Sequence, residues 1–154
     1  MKATETVKLE ADIQSQNYAK IYASLIKDEK QRKRAYASLV ALYAFINYAE
    51  STGIQVKNSM TLFRNPAINE KYEISDVYLN ERHLDVRVLT GGDAVLIPRI
   101  HISADILPEF YVVVRTDKDF ENLELLGFIE TSEMKAEPYD YRYSSVSLNP
   151  PISF

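Results

Sequence analysis

The sequence contains no cysteine and only two histidines among its 154 residues. The absence of cysteine excludes disulfide bonds, thiolate metal sites and thiol nucleophiles, and it is consistent with a reducing compartment. The histidines, His83 and His101, do not form the pair four residues apart that binds zinc on a helix. We therefore expect a cytoplasmic protein, and the sequence indicates neither a metal site nor a cofactor.

Glycine and proline are also scarce, with 4 and 6 residues, while 46% of the chain is hydrophobic. This composition favours an ordered globular protein over a low-complexity one. The net charge of −4 offers no basic face for phosphates, so a nucleic-acid partner is not expected. The N-terminal residues lack the apolar segment of a secretory signal, and no apolar run reaches the length of a membrane span. We expect neither export nor a membrane partner.

Two helices are predicted between residues 13 and 53. The apolar residues between Ile13 and Lys27 predict the first helix. Asp28 and Gln31 resemble a capping box. In this motif the Asp28 carboxylate accepts a backbone N–H of the first turn, and the Gln31 side chain reaches back to the backbone N–H of Asp28. Gly53 can adopt the left-handed conformation that ends many helices. The second helix is therefore predicted to begin at Glu29 and to end just before Gly53.

The second helix is apolar on almost every side from Ala35 to Ala49. A helix with this pattern is usually buried, which predicts that it lies between the first helix and a β module. The alternative is that one of its faces binds a partner or a second copy of the chain. In that case the interaction residues are Tyr36, Leu42, Phe45 and Tyr48.

The remainder of the chain, up to residue 130, has the pattern of a β module. Strand-like segments occur at residues 54–56, 60–63, 83–90, 94–97, 111–114 and 123–129. The strand from His83 alternates apolar and polar residues, which predicts a half-buried strand with a solvated polar face. Gly91-Gly92-Asp93 predicts a tight hairpin turn to the next strand. The continuous apolar run Tyr111–Val114 predicts a strand at the centre of the sheet.

These elements predict one α+β domain over residues 1–154, in which a two-helix N-terminal unit packs on an antiparallel bent sheet or small open barrel. Residues 1–12 are predicted to be a flexible N-terminus, 13–53 the helical part and 54–130 the β module. Residues 131–154 mix tyrosines with prolines, which predicts an extended C-terminal arm.

Five polar residues are the candidates for chemistry, namely Asp76, His83, Asp85, Arg87 and His101. Two acidic groups beside a basic one resemble a degraded metal-dependent nuclease centre, but a guanidinium cannot act as a base at neutral pH. A histidine with a nearby aspartate could instead serve as an acid-base pair. The alternative is structural, with surface histidines and a solvated Asp85–Arg87 pair. Convergence of two or more acid-base candidates within about 5 Å in a pocket would favour an enzyme.

A basic run from Lys27 to Arg34 is the one cluster suited to phosphates. Asp28 and Glu29 dilute it, and no aromatic residues are interleaved for stacking on bases. A solvated first turn of the second helix explains it better than a nucleic-acid contact does.

Four segments, Leu84–Leu89, Leu96–Pro98, Tyr111–Val114 and Leu125–Phe128, resemble in order and spacing the C-terminal half of an uncharacterised family found in cyanobacteria and their non-photosynthetic relatives. The resemblance covers about residues 74–130 and implies a shared β module. That family has no assigned activity, so no functional residue is carried over. This chain departs from the family pattern in lacking both cysteine and tryptophan.

The sequence favours a non-catalytic interaction or assembly module that binds a protein partner or self-associates. The absence of a recognisable catalytic motif and the number of tyrosines, which are enriched at protein interfaces, support this hypothesis. The alternative is a divergent metal-dependent nuclease or a small acid-base enzyme.

Overall fold

The structure is a computed structural model that describes residues 6–58, 65–89 and 94–147. Its helices are α1 (Ile13–Ala23), α2 (Glu29–Ser51), α3 (Pro66–Tyr72), α4 (Arg99–Ser103) and a 3-10 turn at Thr131–Glu133. Its strands are β1 (Val7–Leu9), β2 (Val56–Asn58), β3 (Asp76–Leu79), β4 (Arg82–Leu89), β5 (Val95–Pro98), β6 (Phe110–Thr116), β7 (Leu123–Glu130), β8 (Glu137–Pro138) and β9 (Tyr143–Val146).

The two N-terminal helices are confirmed, and α2 begins after Asp28 and ends just before Gly53, as predicted. The Asp28 carboxylate accepts the backbone N–H of Gln31 at 2.9 Å, as expected for the start of α2. Gly53 has a φ of 86° just after the helix, a conformation that costs glycine little. In the described part of the chain, no helix is both long and apolar enough to cross a bilayer.

The main sheet has six strands in the order β1-β7-β6-β4-β3-β2 and curls into a half-barrel. The α+β class with a bent sheet is therefore confirmed, and β6 is an interior strand as predicted. Four neighbouring pairs of described strands are antiparallel, but β4 and β6 run parallel. The sheet is mixed because the chain crosses over through β5 and α4 between β4 and β6.

The hairpin predicted between His83 and Ile97 is wrong. The edges of β4 are taken by β3 and β6, whereas β5 pairs with β9 in a separate sheet of three strands, β5-β9-β8. The observed hairpin joins β3 to β4 through Asn80 and Glu81, whose φ values of 47° and 68° suit a two-residue turn. The predicted turn at 91–93 and the predicted strand at 60–63 lie outside the described residues.

The six-stranded sheet is covered on both faces. Helix α2 packs on one face, with α1 outside it, around a core that includes Phe45, Val86 and Val112. The small sheet and α4 cover the other face around Ile97, Val113 and other apolar residues. In the described part of the chain, the helices, the six-stranded sheet and the three-stranded sheet are stacked in that order, and the central strands β4 and β6 are covered on both faces.

Two terminal predictions are corrected. Val7–Leu9, in the segment predicted to be flexible, pair with β7, and Leu9 is only 3% exposed. Tyr143–Val146, in the predicted arm, pair with β5, so this part of the tail belongs to the fold. A strand of three or four residues gives too short an alternation to detect.

Helix α3 was not predicted, although its start carries a local signal. The Asn65 side chain accepts the backbone N–H of Ala67 at 2.8 Å, and Pro66 occupies the first turn, where it needs no N–H. Proline at this position starts a helix rather than marking only a loop.

Candidate functional site

The polar face of β4 is buried rather than solvated. Asp85 is 2% exposed and Arg87 is 7% exposed, because the small sheet and α4 cover this side of the main sheet. The His83 side chain, nearer the start of β4, remains 23% exposed. The predicted solvated Asp85–Arg87 pair is therefore wrong. Alternation identified the correct faces of β4, but it did not indicate that a second layer covers the polar one.

Asp76 and His83 lie on adjacent strands and are in direct contact. His83 Nε2 is 2.7 Å from Asp76 Oδ2, and Asp76 is fully buried on β3. The His83 ring also stacks on Tyr78, its cross-strand neighbour, with ring centroids 4.8 Å apart. Two of the acid-base candidates thus converge well within about 5 Å.

Asp85 and Arg87 form a buried ion pair whose partners are held by the backbone. Asp85 Oδ2 accepts the N–H of Ser75 at 2.9 Å, and Arg87 Nε lies 3.2 Å from Asp85 Oδ1. That Nε–H donates to the Val86 carbonyl instead of to the carboxylate, and Arg87 Nη2 donates to the Glu73 carbonyl at 2.9 Å. Two backbone carbonyls therefore hold the Arg87 guanidinium in place.

His101 on α4 is a buried neutral histidine. Its Nε2 is 2.7 Å from the Tyr72 carbonyl and its Nδ1 is 2.8 Å from the Tyr111 hydroxyl. Because a carbonyl only accepts, Nε2 carries the proton and Nδ1 accepts from Tyr111. Burial lowers the pKa of His101 and raises that of Tyr111, so both groups stay uncharged. With both nitrogens engaged, His101 has no lone pair free to take a proton from a substrate.

A pocket of about 290 Å³ borders this buried cluster, between α2, α3, the end of β4 and the start of β9. We call it the α2–β9 pocket. Its charged lining consists of Arg34, Glu70, Glu73, Arg87 and Arg142. Of the sequence-predicted candidates, only Arg87 lines it. Asp76, His83, Asp85 and His101 do not, and the described residues contain no cluster of three or more metal-binding groups.

Glu73 joins the pocket to the cluster. Its carboxylate accepts the Tyr143 hydroxyl at 2.5 Å and Arg142 Nη2 at 3.2 Å, while its carbonyl accepts Arg87. Burial, together with the hydrogen bond to Glu73, raises the pKa of Tyr143 to about 12, so Tyr143 stays a donor. Glu73 has a φ of 49°, which costs a non-glycine residue about 1–2 kcal/mol. The contacts of its carboxylate and its carbonyl hold Glu73 in this conformation.

Sequence reasoning missed Glu73, Arg142 and Tyr143. The Glu73 side chain bonds to residues about 70 positions away. No spacing rule connects residues so far apart in the chain, and only the pairing of β9 with β5 brings them together. A second hollow, along β8 and β9, is wider at about 780 Å³, but its charged lining residues are exposed.

The predicted interaction residues on α2 do not form a free face, so that prediction is corrected. Leu42 and Phe45 are 0% and 2% exposed in the core. Tyr36 and Tyr48 are partly buried and pack against the same core, Tyr36 with its ring edge-on to Phe120. The all-round apolar pattern of α2 reflects burial between α1 and the sheet.

Exposed apolar side chains are found instead on α1 and just beyond its end. Ile13, Tyr18, Ile21 and Leu25 are 75%, 52%, 66% and 67% exposed, and we call them the α1 stripe. The opposite face of α1 carries small residues, including Ala19 and Ala23, which let the helix approach α2 closely.

Comparison with known proteins assigns a family but no activity. The family model described as "Protein of unknown function (DUF1822)" matches residues 9–149. None of the curated proteins matches the chain.

Proposed function

The chain belongs to the DUF1822 family, described only as a protein of unknown function, and we propose that it is a non-catalytic cytoplasmic interaction module that self-associates through the α1 stripe. The observation that carries the proposal is the exposure of four large apolar side chains within 13 positions. Single exposed apolar residues are ordinary, whereas four large ones within so short a segment make it a candidate interaction surface.

The spacing of the stripe supports a helix as its partner. Tyr18 and Ile21 are three residues apart on one side of α1, and Leu25 follows four positions later, in the turn just beyond the helix. The Tyr18 ring also leans toward Tyr43 on α2, with centroids 6.4 Å apart, which extends the apolar surface onto a second helix. The α1 helix of a second copy presents the same row of apolar side chains, which matches the α1 stripe in length.

Charge favours an antiparallel, two-fold arrangement of two copies. Glu10 and Asp12 precede the stripe, whereas residues 27–30 beyond it carry two lysines and two carboxylates. A parallel pairing would place the acidic ends side by side, while an antiparallel pairing sets each against a neutral end. Two-fold dimers are also the commonest form of self-association.

The size of the stripe predicts a weak dimer. An 11-residue helix is about 17 Å long and roughly 10 Å wide, so it presents on the order of 200 Å². Stable interfaces bury about 800 Å² on each partner. The proposed contact is therefore concentration-dependent, as suits reversible assembly.

Sedimentation analysis tests the proposal between about 10 µM and about 1 mM, a range that reports weak complexes. We expect the wild-type protein to dimerise with rising concentration and the variant Ile21→Ser, Leu25→Ser to stay monomeric. The matched control is Ile68→Ser, Ile102→Ser, which removes two isoleucines that are each 48% exposed elsewhere. A wild-type protein that is monomeric throughout, or a control that dissociates equally, would contradict the proposal.

An acid-base enzyme is the second candidate, and the 2.7 Å contact between His83 and Asp76 favours it. The partly exposed His83 ring, which the buried Asp76 carboxylate orients, could exchange protons with a bound substrate. The nuclease version has less support, since the Asp85 carboxylate is buried against Ser75 and Arg87. The test is hydrolysis of a nitrophenyl ester, or of DNA with Mg²⁺. Hydrolysis by the wild type that is lost in His83→Gln would favour an enzyme, and no hydrolysis by the wild type would count against one.

Several narrower expectations belong to the same proposal and stay predictions. They are a single domain over the whole chain, a protein rather than nucleic-acid partner, and a family whose members are found in cyanobacteria and their non-photosynthetic relatives. The net charge of −4 and the absence of cysteine support the partner class and the reducing compartment.

A further inference from the structure

We propose that the α2–β9 pocket binds a small organic anion, a molecule with one carboxylate or phosphate group on an apolar body. This site is separate from the α1 stripe and does not depend on self-association. The inference rests on the charges, the anchoring and the apolar wall of the pocket.

Arg34 is the cation available to a ligand. In the described part of the structure its guanidinium makes no hydrogen bond or ion pair, and it is exposed at the pocket. It lies close enough to Tyr143 to counteract the rise in the pKa of that hydroxyl. Gln31 and Ser38, one turn before and one turn after Arg34, line the same wall of α2 and add neutral donors.

Arg142 and Arg87 supply prearranged donors. Arg142 uses Nη2 on the Glu73 carboxylate, and its guanidinium lies 5.5 Å from the Tyr143 ring centroid. Arg87 is held by two carbonyls and paired with Asp85. Guanidinium groups fixed in this way bind a carboxylate or phosphate group with little loss of side-chain entropy.

The charges around the pocket leave one cation free to bind an anion. Three arginines and two glutamates line the pocket, an excess of one positive charge. Because Asp85 compensates Arg87 from behind and Glu73 compensates Arg142, Arg34 and Glu70 are the lining charges left without an ion-pair partner among the described residues. Glu70 lowers the affinity for any anion, so its removal should strengthen binding.

The rest of the wall favours an apolar body of limited size. It is formed largely by apolar side chains, including Ile26, Leu39, Val88 and Leu96. A volume of about 290 Å³ is near the lower end of the roughly 300–1,000 Å³ typical of small-ligand pockets. Free phosphate would leave this wall empty, whereas a medium-chain acid would fill it.

Isothermal titration calorimetry with four probes tests the proposal. The probes are octanoate, octyl phosphate, octylammonium and inorganic phosphate. We expect saturable one-to-one binding of octanoate or octyl phosphate, which also identifies the preferred acid group. Octylammonium and inorganic phosphate should bind at least about tenfold more weakly, since each lacks one half of the recognised chemistry.

Four variants locate the binding site. Arg34→Gln should weaken binding about tenfold, the effect of losing charged hydrogen bonds, and Glu70→Gln should strengthen it. Lys33→Gln is the matched control, because it removes the same charge from an exposed neighbouring residue outside the pocket. Ile21→Ser, Leu25→Ser should leave binding unchanged, which separates the pocket from the α1 stripe.

The proposal is overturned if neither octyl anion binds, or if octylammonium binds equally well. Equal weakening by Arg34→Gln and Lys33→Gln would also overturn it, because the effect would then come from overall charge. Since dimerisation is measured separately, either result leaves the test of self-association intact.

Discussion

The two faces of the six-stranded sheet are both buried but differ in chemistry. The buried residues on the face under α2 are mainly apolar, among them Leu84, Val86 and Val112. The opposite face combines an apolar part around Val113 with the buried polar residues Asp76, Asp85 and His101. Apolar packing accounts for the stability of the first face, whereas the second also carries an ion pair that borders a pocket.

The difference indicates separate roles for the two faces. A buried ion pair is weak evidence for stability, because removing two charges from water costs several kcal/mol per ion. Arg87 nevertheless fixes the Glu73 carbonyl and forms part of the pocket wall. We interpret the helix-covered face as the folding core and the polar face as the support of the pocket.

A large effect on stability is expected from matched truncations in β6. Val112 and Val113 are adjacent and both 0% exposed, but they point to opposite faces. Val112→Ala and Val113→Ala should each lower the free energy of unfolding by about 2 kcal/mol, from lost burial plus the cavity created. Urea denaturation measures both. A cost below about 0.5 kcal/mol for Val113→Ala, typical of surface positions, would show that the small sheet does not close over its face.

A smaller effect is expected from pH, through His101. Burial lowers its pKa, so below pH 6.5 the unfolded chain binds more protons than the native protein does. The free energy of unfolding should be independent of this group above about pH 6.5 and fall by up to about 1.4 kcal/mol per unit as the pH drops toward the lowered pKa.

Imidazole NMR measures this titration directly, since the chain has only two histidines and His83→Gln assigns their signals. We expect the titration midpoint of His101 to lie below pH 6.5, and the ring to be the Nε2–H tautomer at pH values above that midpoint. A midpoint at or above 6.5 would show that His101 is not held neutral between the two layers.

The elements set by local chemistry could be predicted from the sequence. The start of α2 follows from Asp28 and Gln31, and its end from Gly53, because caps act within one turn. The strands around residues 83–89 and 111–114 follow from their apolar patterns.

The pairing of strands and the pocket could not be predicted in this way. Gly91-Gly92 suits a hairpin, but β4 pairs with a strand that begins more than 20 residues after it ends, and no local signal reports that partner. Alternation marked Asp85 and Arg87 as sharing a face without indicating the layer above it. Arg142 reaches Glu73 only through the tertiary fold.

The double variant Asp85→Asn, Arg87→Met tests most directly the claim that the polar face supports the pocket rather than the fold. Asparagine keeps an acceptor for the Ser75 N–H while both buried charges are removed. Arg87→Met alone should cost about 3–5 kcal/mol by leaving Asp85 without its cation, and the double variant should return to within about 1 kcal/mol of wild type. Binding of the preferred anion, octanoate or octyl phosphate, should nevertheless be lost. A double variant as unstable as the single one, or one that binds that anion normally, would contradict the account.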